Sequence, residues 1–215
     1  MKKRLIAVIN IKNNLVVQSY GYKHYLPLGS IESFIPNFDR WGVDEILVND
    51  LNRSKNETGP NIKLLNRISN LKINTPIIYS GNIDNETDAQ KAIQNGADRI
   101  VLGNIFFKNP EKIVDISKTI GTQAIILSVC FELKKNQLLI YNYIKKKLYE
   151  FSDEDFIKLQ SYISEFLIID NINEGYEKSF NMKILNKICK KNFMKSLIVF
   201  GGISSSNQIN KIIKN

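Results

Sequence analysis

The 215-residue chain is 43% hydrophobic and 24% charged, which suits a folded chain long enough for one large domain. Its formal net charge is +9, but the lysines are scattered among Asn and Ile, and the longest run, Lys145–Lys147, lies beside a hairpin; this argues against a nucleic-acid partner. Two distant cysteines without a CxxC and a single histidine, His24, leave no zinc cluster or histidine triad and point to a reducing cytoplasm, with no metal or cofactor expected.

Met1–Arg4 followed by Leu5–Ile9 imitates a leader. Its apolar run is short, Asn10 and Lys12 break it, and no small-residue cleavage site follows, so a secretory leader is rejected. No stretch approaches a membrane span, and no membrane partner is expected.

In chain order the pattern predicts strand and helix in alternation. Residues 5–11 form an apolar, β-branched strand that ends near Asn10 and leads through an Asn13-Asn14 turn into a hairpin-like segment. A helix over 30–41 follows, then strand 45–49, helix 60–71, strand 76–80, helix 86–95, strand 99–103 and helix 109–119. Strand 123–129 leads into a polar hairpin over 132–143. Helix 153–162, strand 165–169, helix 180–191, strand 196–200 and a helix from 205 complete the pass. Asn109-Pro110 and Ser152-Asp-Glu-Asp155 are sensible helix starts. Such alternation implies parallel strands with crossover helices, in a barrel or an open sheet.

Self-comparison chooses between these. Val43-Asp-Glu-Ile-Leu-Val-Asn-Asp50 aligns with Ile163-Ser-Glu-Phe-Leu-Ile-Ile-Asp170, 120 positions on. Asn61–Ile68 aligns with Asn181–Ile188, and Gly81-Asn82-Ile83 with Gly201-Gly202-Ile203, without a gap. The same shift places Asn10 over Cys130. Two units of four βα pairs make an eight-stranded barrel, so the expected fold is α/β: a (βα)8 TIM barrel of two duplicated halves, 1–120 and 121–215, in a single domain. Asn95 is followed by a fourth strand, whereas its equivalent is Asn215. The expectation is therefore a C-terminally truncated barrel without strand eight and its helix.

Glycine and asparagine follow the third, fourth and seventh barrel strands at Gly81-Asn82, Gly103-Asn104 and Gly201-Gly202. Glycine lets backbone N–H groups approach an anion, and a following helix N-terminus favours negative charge. For any one pair, plain turn glycines explain the sequence equally well. Arg4, Glu45, Arg99 and Glu165 open four strands, and read either as an inward ring of charge or as ordinary solvated strand ends. Asp50, Asp170 and Glu174 lie at strand ends or just beyond, as an acid/base set or as loop-ordering caps.

Together these residues resemble the cyclase (HisF-type) subunit of imidazole glycerol phosphate synthase, in the histidine-biosynthesis barrel family, and its paralogues near sugar-modification genes. The likeness runs through Arg4–Val17, Val43–Asp50, Ile78–Ile83, Asn95–Arg99, Gly121–Ala124, Glu174-Gly175 and Gly201-Gly202. It implies a lyase-type subunit of a glutamine amidotransferase complex. A HisH-type glutaminase docks below, and ammonia passes up the barrel to a phosphorylated small molecule. By resemblance Arg4, Glu45, Arg99 and Glu165 are the ammonia gate, with Arg99 in place of a lysine, and Asp98 faces the glutaminase. The glycine pairs match the phosphate loops after strands three and four and, for the second phosphate, only the strand-seven half of a site shared with strand eight.

The family's two catalytic aspartates fall on Asn10 and Cys130, and its loop lysine on Gln18, with Lys23 and His24 nearby. An amide exchanges no proton near neutral pH, and a buried thiol is usually inert. Three readings follow: a diverged, ammonia-accepting paralogue acting on a phosphorylated or nucleotide-linked substrate; a non-catalytic glutaminase-docking subunit; or a truncated relic of the cyclase.

Overall fold

A computed structural model describes residues 3–56, 58–177, 180–191 and 195–214. Met1 and Lys2 of the rejected leader, and Asn215 at the end of the repeat alignment, lie outside them. The chain divides into two compact units, residues 1–18 with 26–125 and residues 19–25 with 126–215.

In unit one, β1 (Ile6–Lys12) turns at Asn13 and Asn14, both with positive φ, into β2 (Leu15–Tyr20), whose last two residues belong to unit two. Asparagine tolerates that left-handed conformation better than most residues, and two consecutive positive φ values match the hairpin twist. β3 (His24–Gly29), whose first two residues belong to unit two, and α1 (Ile31–Trp41) follow, and α1 ends at Gly42 in the left-handed conformation. Then come β4 (Glu45–Asp50), the short α2 (Leu51–Asn56), α3 (Ile62–Ser69), β5 (Ile77–Ser80), α4 (Glu86–Gln94), β6 (Arg99–Leu102), α5 (Ile105–Lys108) and α6 (Lys112–Ile120). β1 pairs with β4, β4 with β5 and β5 with β6, all parallel. α1 packs on α3, α3 on α4 and α4 on α6. Ile46, Val48, Ile78, Tyr79 and Ile100 are almost wholly buried, as expected of strands covered on both faces.

Unit two holds β7 (Ile125–Lys134), whose first residue belongs to unit one, then β8 (Gln137–Asn142), β9 (Lys147–Glu150), α7 (Asp153–Leu159), β10 (Glu165–Asp170), α8 (Met182–Cys189), β11 (Ser196–Phe200) and α9 (Ser206–Ile213). β7, β10 and β11 are parallel, while β7, β8 and β9 form an antiparallel meander. Rings of Phe131, Phe151, Phe156 and Phe166 stack in sequence at 5.4, 4.8 and 5.7 Å between centroids, a contact geometry that adds to plain burial. β10 is buried along its length, whereas β11 is half-buried throughout.

The repeat extends to strand register. Ile6 faces Glu45 and Ile11 faces Asp50 in unit one; Ile126 faces Glu165 and Phe131 faces Asp170 in unit two. Ile46 faces Ile77, and Phe166 faces Leu197. Each partner is shifted by the same 120 positions. Each unit is thus a parallel α/β assembly of the βα pairs from which TIM-type barrels are built.

Candidate functional sites

At the strand starts of unit one, Glu45 is buried and uses both carboxylate oxygens. Oε2 accepts from Arg4 and Oε1 from Arg99, each at 3.0 Å. A carboxylate taken out of water needs such pairing, and a guanidinium keeps its charge at any working pH. The preceding aspartates place these charges. Asp44 and Leu5 exchange two hydrogen bonds, with the Asp44 carboxylate accepting from the Leu5 N–H and the Leu5 carbonyl accepting from the Asp44 N–H. Asp98 and Ile77 do the same. The exposed Asp98 therefore pins the start of β5 to the start of β6. In unit two Glu165 opens β10 and is likewise buried.

At the strand ends, Asn10 is buried and accepts a 3.0 Å hydrogen bond from Asn49 directly across the sheet. Neither amide titrates. In unit two Cys130 faces Ile169, and its thiol is pushed up to about 12 by burial, then by the charges of Glu174 and Glu132. It stays protonated at neutral pH and is a poor nucleophile.

Asp50 and Asp170 are 2% and 1% exposed, and every bond found to their side chains comes from the segment that follows the strand. Asp50 accepts from the Arg53 N–H at 3.1 Å and the Asn61 side chain at 2.9 Å. Asp170 accepts from the Asn173 N–H at 3.3 Å, the Asn173 side chain at 2.7 Å and the Asn181 N–H at 2.8 Å. Asn61 and Asn181 in turn cap α3 and α8. One difference has a one-residue cause. The Asn61 N–H donates to the Tyr79 hydroxyl at 2.8 Å, but the position equivalent to Tyr79 is Val199, so the Asn181 N–H goes to Asp170.

Glu174 is buried as deeply as Asp170 in unit two. Its Oε2 accepts from the Ser19 hydroxyl at 2.9 Å and the Tyr22 N–H at 3.1 Å, while its carbonyl accepts from Gly21. This fastens residues 19–25 to the loop after β10. Gly175, at φ +77°, is the residue that permits it, because a Cβ there would strike the Ser19 carbonyl. Burial and then the Glu174 charge push the Tyr22 and Tyr25 phenols up, so both remain neutral donors.

The glycine loops keep the repeat as well. Asn82 and Gly202 both have positive φ, and Asn85 and Ser205 cap α4 and α9. A Cβ on Gly81 would strike the Tyr79 hydroxyl, and one on Gly201 would press on Asp170. Gly103 and Asn104 lead into the first turn of α5, where their carbonyls accept from Phe106 and Phe107. Lys108 of α5 reaches Asp84 at 3.2 Å in the Gly81 loop, so that loop carries an acid and a cation as well as backbone donors.

The sequence reading did not single out Glu132 or Asn171, which bond to each other in unit two. It placed Glu132 in the hairpin, where Glu132 does face Leu139 of β8, on a strand that runs from Ile125 to Lys134 without a break. The available signal was the two-residue spacing of Cys130 and Glu132, which puts both on one face of a strand.

Parallel βα units, charged strand starts and glycine-bearing strand ends define the TIM-barrel class of α/β protein. Residues 4–215 match the family described as histidine biosynthesis protein, and the chain belongs to that family as a diverged, HisF-like member. A Vibrio vulnificus (strain YJ016) protein provisionally named imidazole glycerol phosphate synthase subunit hisF2 is 28% identical over 211 residues, covering 97% of this chain and 77% of that protein. The imidazole glycerol phosphate synthase subunit HisF of Campylobacter lari is 26% identical over 144 residues, covering 66% and 56%. That of Buchnera aphidicola subsp. Schizaphis graminum is 25% identical over 199 residues, covering 89% and 77%.

Proposed function

We propose that the chain is an ammonia-accepting subunit that works with a HisH-type glutaminase and no longer closes the imidazole ring. The observation that carries this reading is a contrast. Glu45 is clasped by two arginines at the strand starts, while Asn10 and a protonated Cys130 occupy the strand ends where the family resemblance expects aspartates. A charge cluster that binds and orients is retained where ammonia enters, and Glu165 is the equivalent buried acid at a strand start of unit two. Two groups that exchange no proton at pH 7 stand where acid and base are needed.

The acceptor is a phosphorylated or nucleotide-linked small molecule, with phosphate held at Gly81-Asn82 and Gly103-Asn104 and at Gly201-Gly202. Positive-φ backbone at Asn82, Gly201 and Gly202 supports this, since such turns leave N–H groups open to an anion. Asp98 takes part in the glutaminase interface. A non-catalytic, glutaminase-docking role is the second reading, favoured by the loop donors that occupy Asp50 and Asp170.

The test is glutamine hydrolysis by a HisH-type glutaminase with and without the chain. The expected result is a rise with the chain that Glu45→Gln reduces several-fold. No rise at any concentration of folded chain contradicts the proposal. The two readings separate in the full reaction: an aminated product that forms only with the folded chain present supports ammonia transfer to an acceptor, whereas raised glutamine hydrolysis without such a product leaves docking alone.

A further inference from the structure

Two buried polar side chains of unit two serve none of the roles above. Glu132 lies two residues beyond Cys130 on β7 and shares its face. Asn171 follows β10, held there by its N–H to the Phe131 carbonyl at 3.2 Å. Their exposures are 7% and 3%. The Asn171 side-chain NH₂ donates to Glu132 Oε1 at 2.8 Å. This bond fixes the amide's orientation, because turned over it would set its carbonyl against a carboxylate. The Asn171 Oδ1 is thereby left buried, and it accepts no hydrogen bond from any described residue. Buried acceptors are rarely left without a donor. Unit one has no counterpart, since the equivalent positions are Lys12 and Leu51.

We propose that Glu132 and Asn171 form a binding site for a protonated primary amine. An acceptor pair with one full negative charge rejects anions. A hydroxyl brings one donor hydrogen to two acceptors, whereas an alkylammonium brings three and a compensating charge. The nearest cation found is Lys134, 3.9 Å from Glu132 Oε2 on an exposed side chain, so it is readily displaced. Tyr141 lies close enough to feel the Glu132 charge, and burial and then that charge push its phenol up and keep it neutral. The site goes beyond the ammonia-transfer reading and is tested without a glutaminase, so either can fail alone.

The experiment is a titration of the ¹⁵N-labelled full chain with methylammonium chloride, following the Asn171 side-chain amide signal. The expected result is a saturable shift, at least tenfold weaker with tetramethylammonium or potassium chloride, which carry charge but no N–H. Glu132→Gln, which keeps size and an acceptor, weakens methylammonium at least tenfold. No saturable shift, an equal response to tetramethylammonium, or undiminished binding by a folded Glu132→Gln chain overturns the site. The comparison of the three salts needs no variant, and it decides the matter if Glu132→Gln does not fold.

Discussion

Asp50 in unit one and Asp170 in unit two occupy equivalent positions, and each holds the loop between its strand and the next capped helix. The strand positions 40 residues before them have diverged: Asn10 faces Asn49 in one unit, while Cys130 faces Ile169 in the other. The loop anchors survive because a buried carboxylate with several donors has no cheap substitute. Asn10 and Cys130 hold no such loop in the bonds found, so that constraint does not act on them. Unit two then added a feature that unit one lacks, the pinned segment 19–25 under Glu174.

The sharpest way to break the comparison is chemical. With its thiol at about 12 against 9.0 for an ordinary cysteine, Cys130 carries roughly a thousandfold less thiolate at neutral pH. Iodoacetamide at pH 8 should therefore modify the exposed Cys189 and leave Cys130 intact, as read by peptide mass; rapid labelling of Cys130 would mean an activated nucleophile. The sign for stability follows. The unfolded thiol loses its proton near 9 and the folded one near 12, so stability falls as pH rises through that window, and Cys130→Ser should flatten the fall.

Next in size is the glycine that lets unit two close on residues 19–25. Gly175→Ala should cost about 3 kcal/mol in urea unfolding, because positive φ and a backbone collision combine. Gly42→Ala, with positive φ but open space around it, should cost about 1 kcal/mol. Equal losses would remove the special standing of the Glu174 loop.

Between those two losses lies the effect that tests the likeness itself. Asp50→Asn and Asp170→Asn should each cost about 2 kcal/mol, since each sets an NH₂ donor against N–H groups that a carboxylate oxygen now accepts. A variant that loses activity at full stability would instead assign its carboxylate to chemistry.

Much of the fold was legible because buried parallel strands and amphipathic helices leave strong periodic signals; strand 196–200 and helix 30–41 fall within a residue of the observed elements. The gaps are short elements. α2 and α5 span too few residues to show a helical period, and β9 follows a lysine run that reads as loop. The duplication flagged Asp50 and Asp170 as a pair, yet only geometry shows their donors, because three of those five bonds come from backbone N–H groups that any residue carries. Assignment of residues 19–25 to unit two was out of reach for the same reason. It rests on Gly175, Gly21 and one buried glutamate more than a hundred positions away in sequence.

The central claim, an ammonia entrance kept while ring closure is lost, is tested most directly by product analysis. The folded chain is combined with a HisH-type glutaminase, glutamine and the ribonucleotide substrate of the histidine cyclase. The account predicts raised glutamine hydrolysis and no imidazole glycerol phosphate. Formation of imidazole glycerol phosphate above the level without the chain would contradict it.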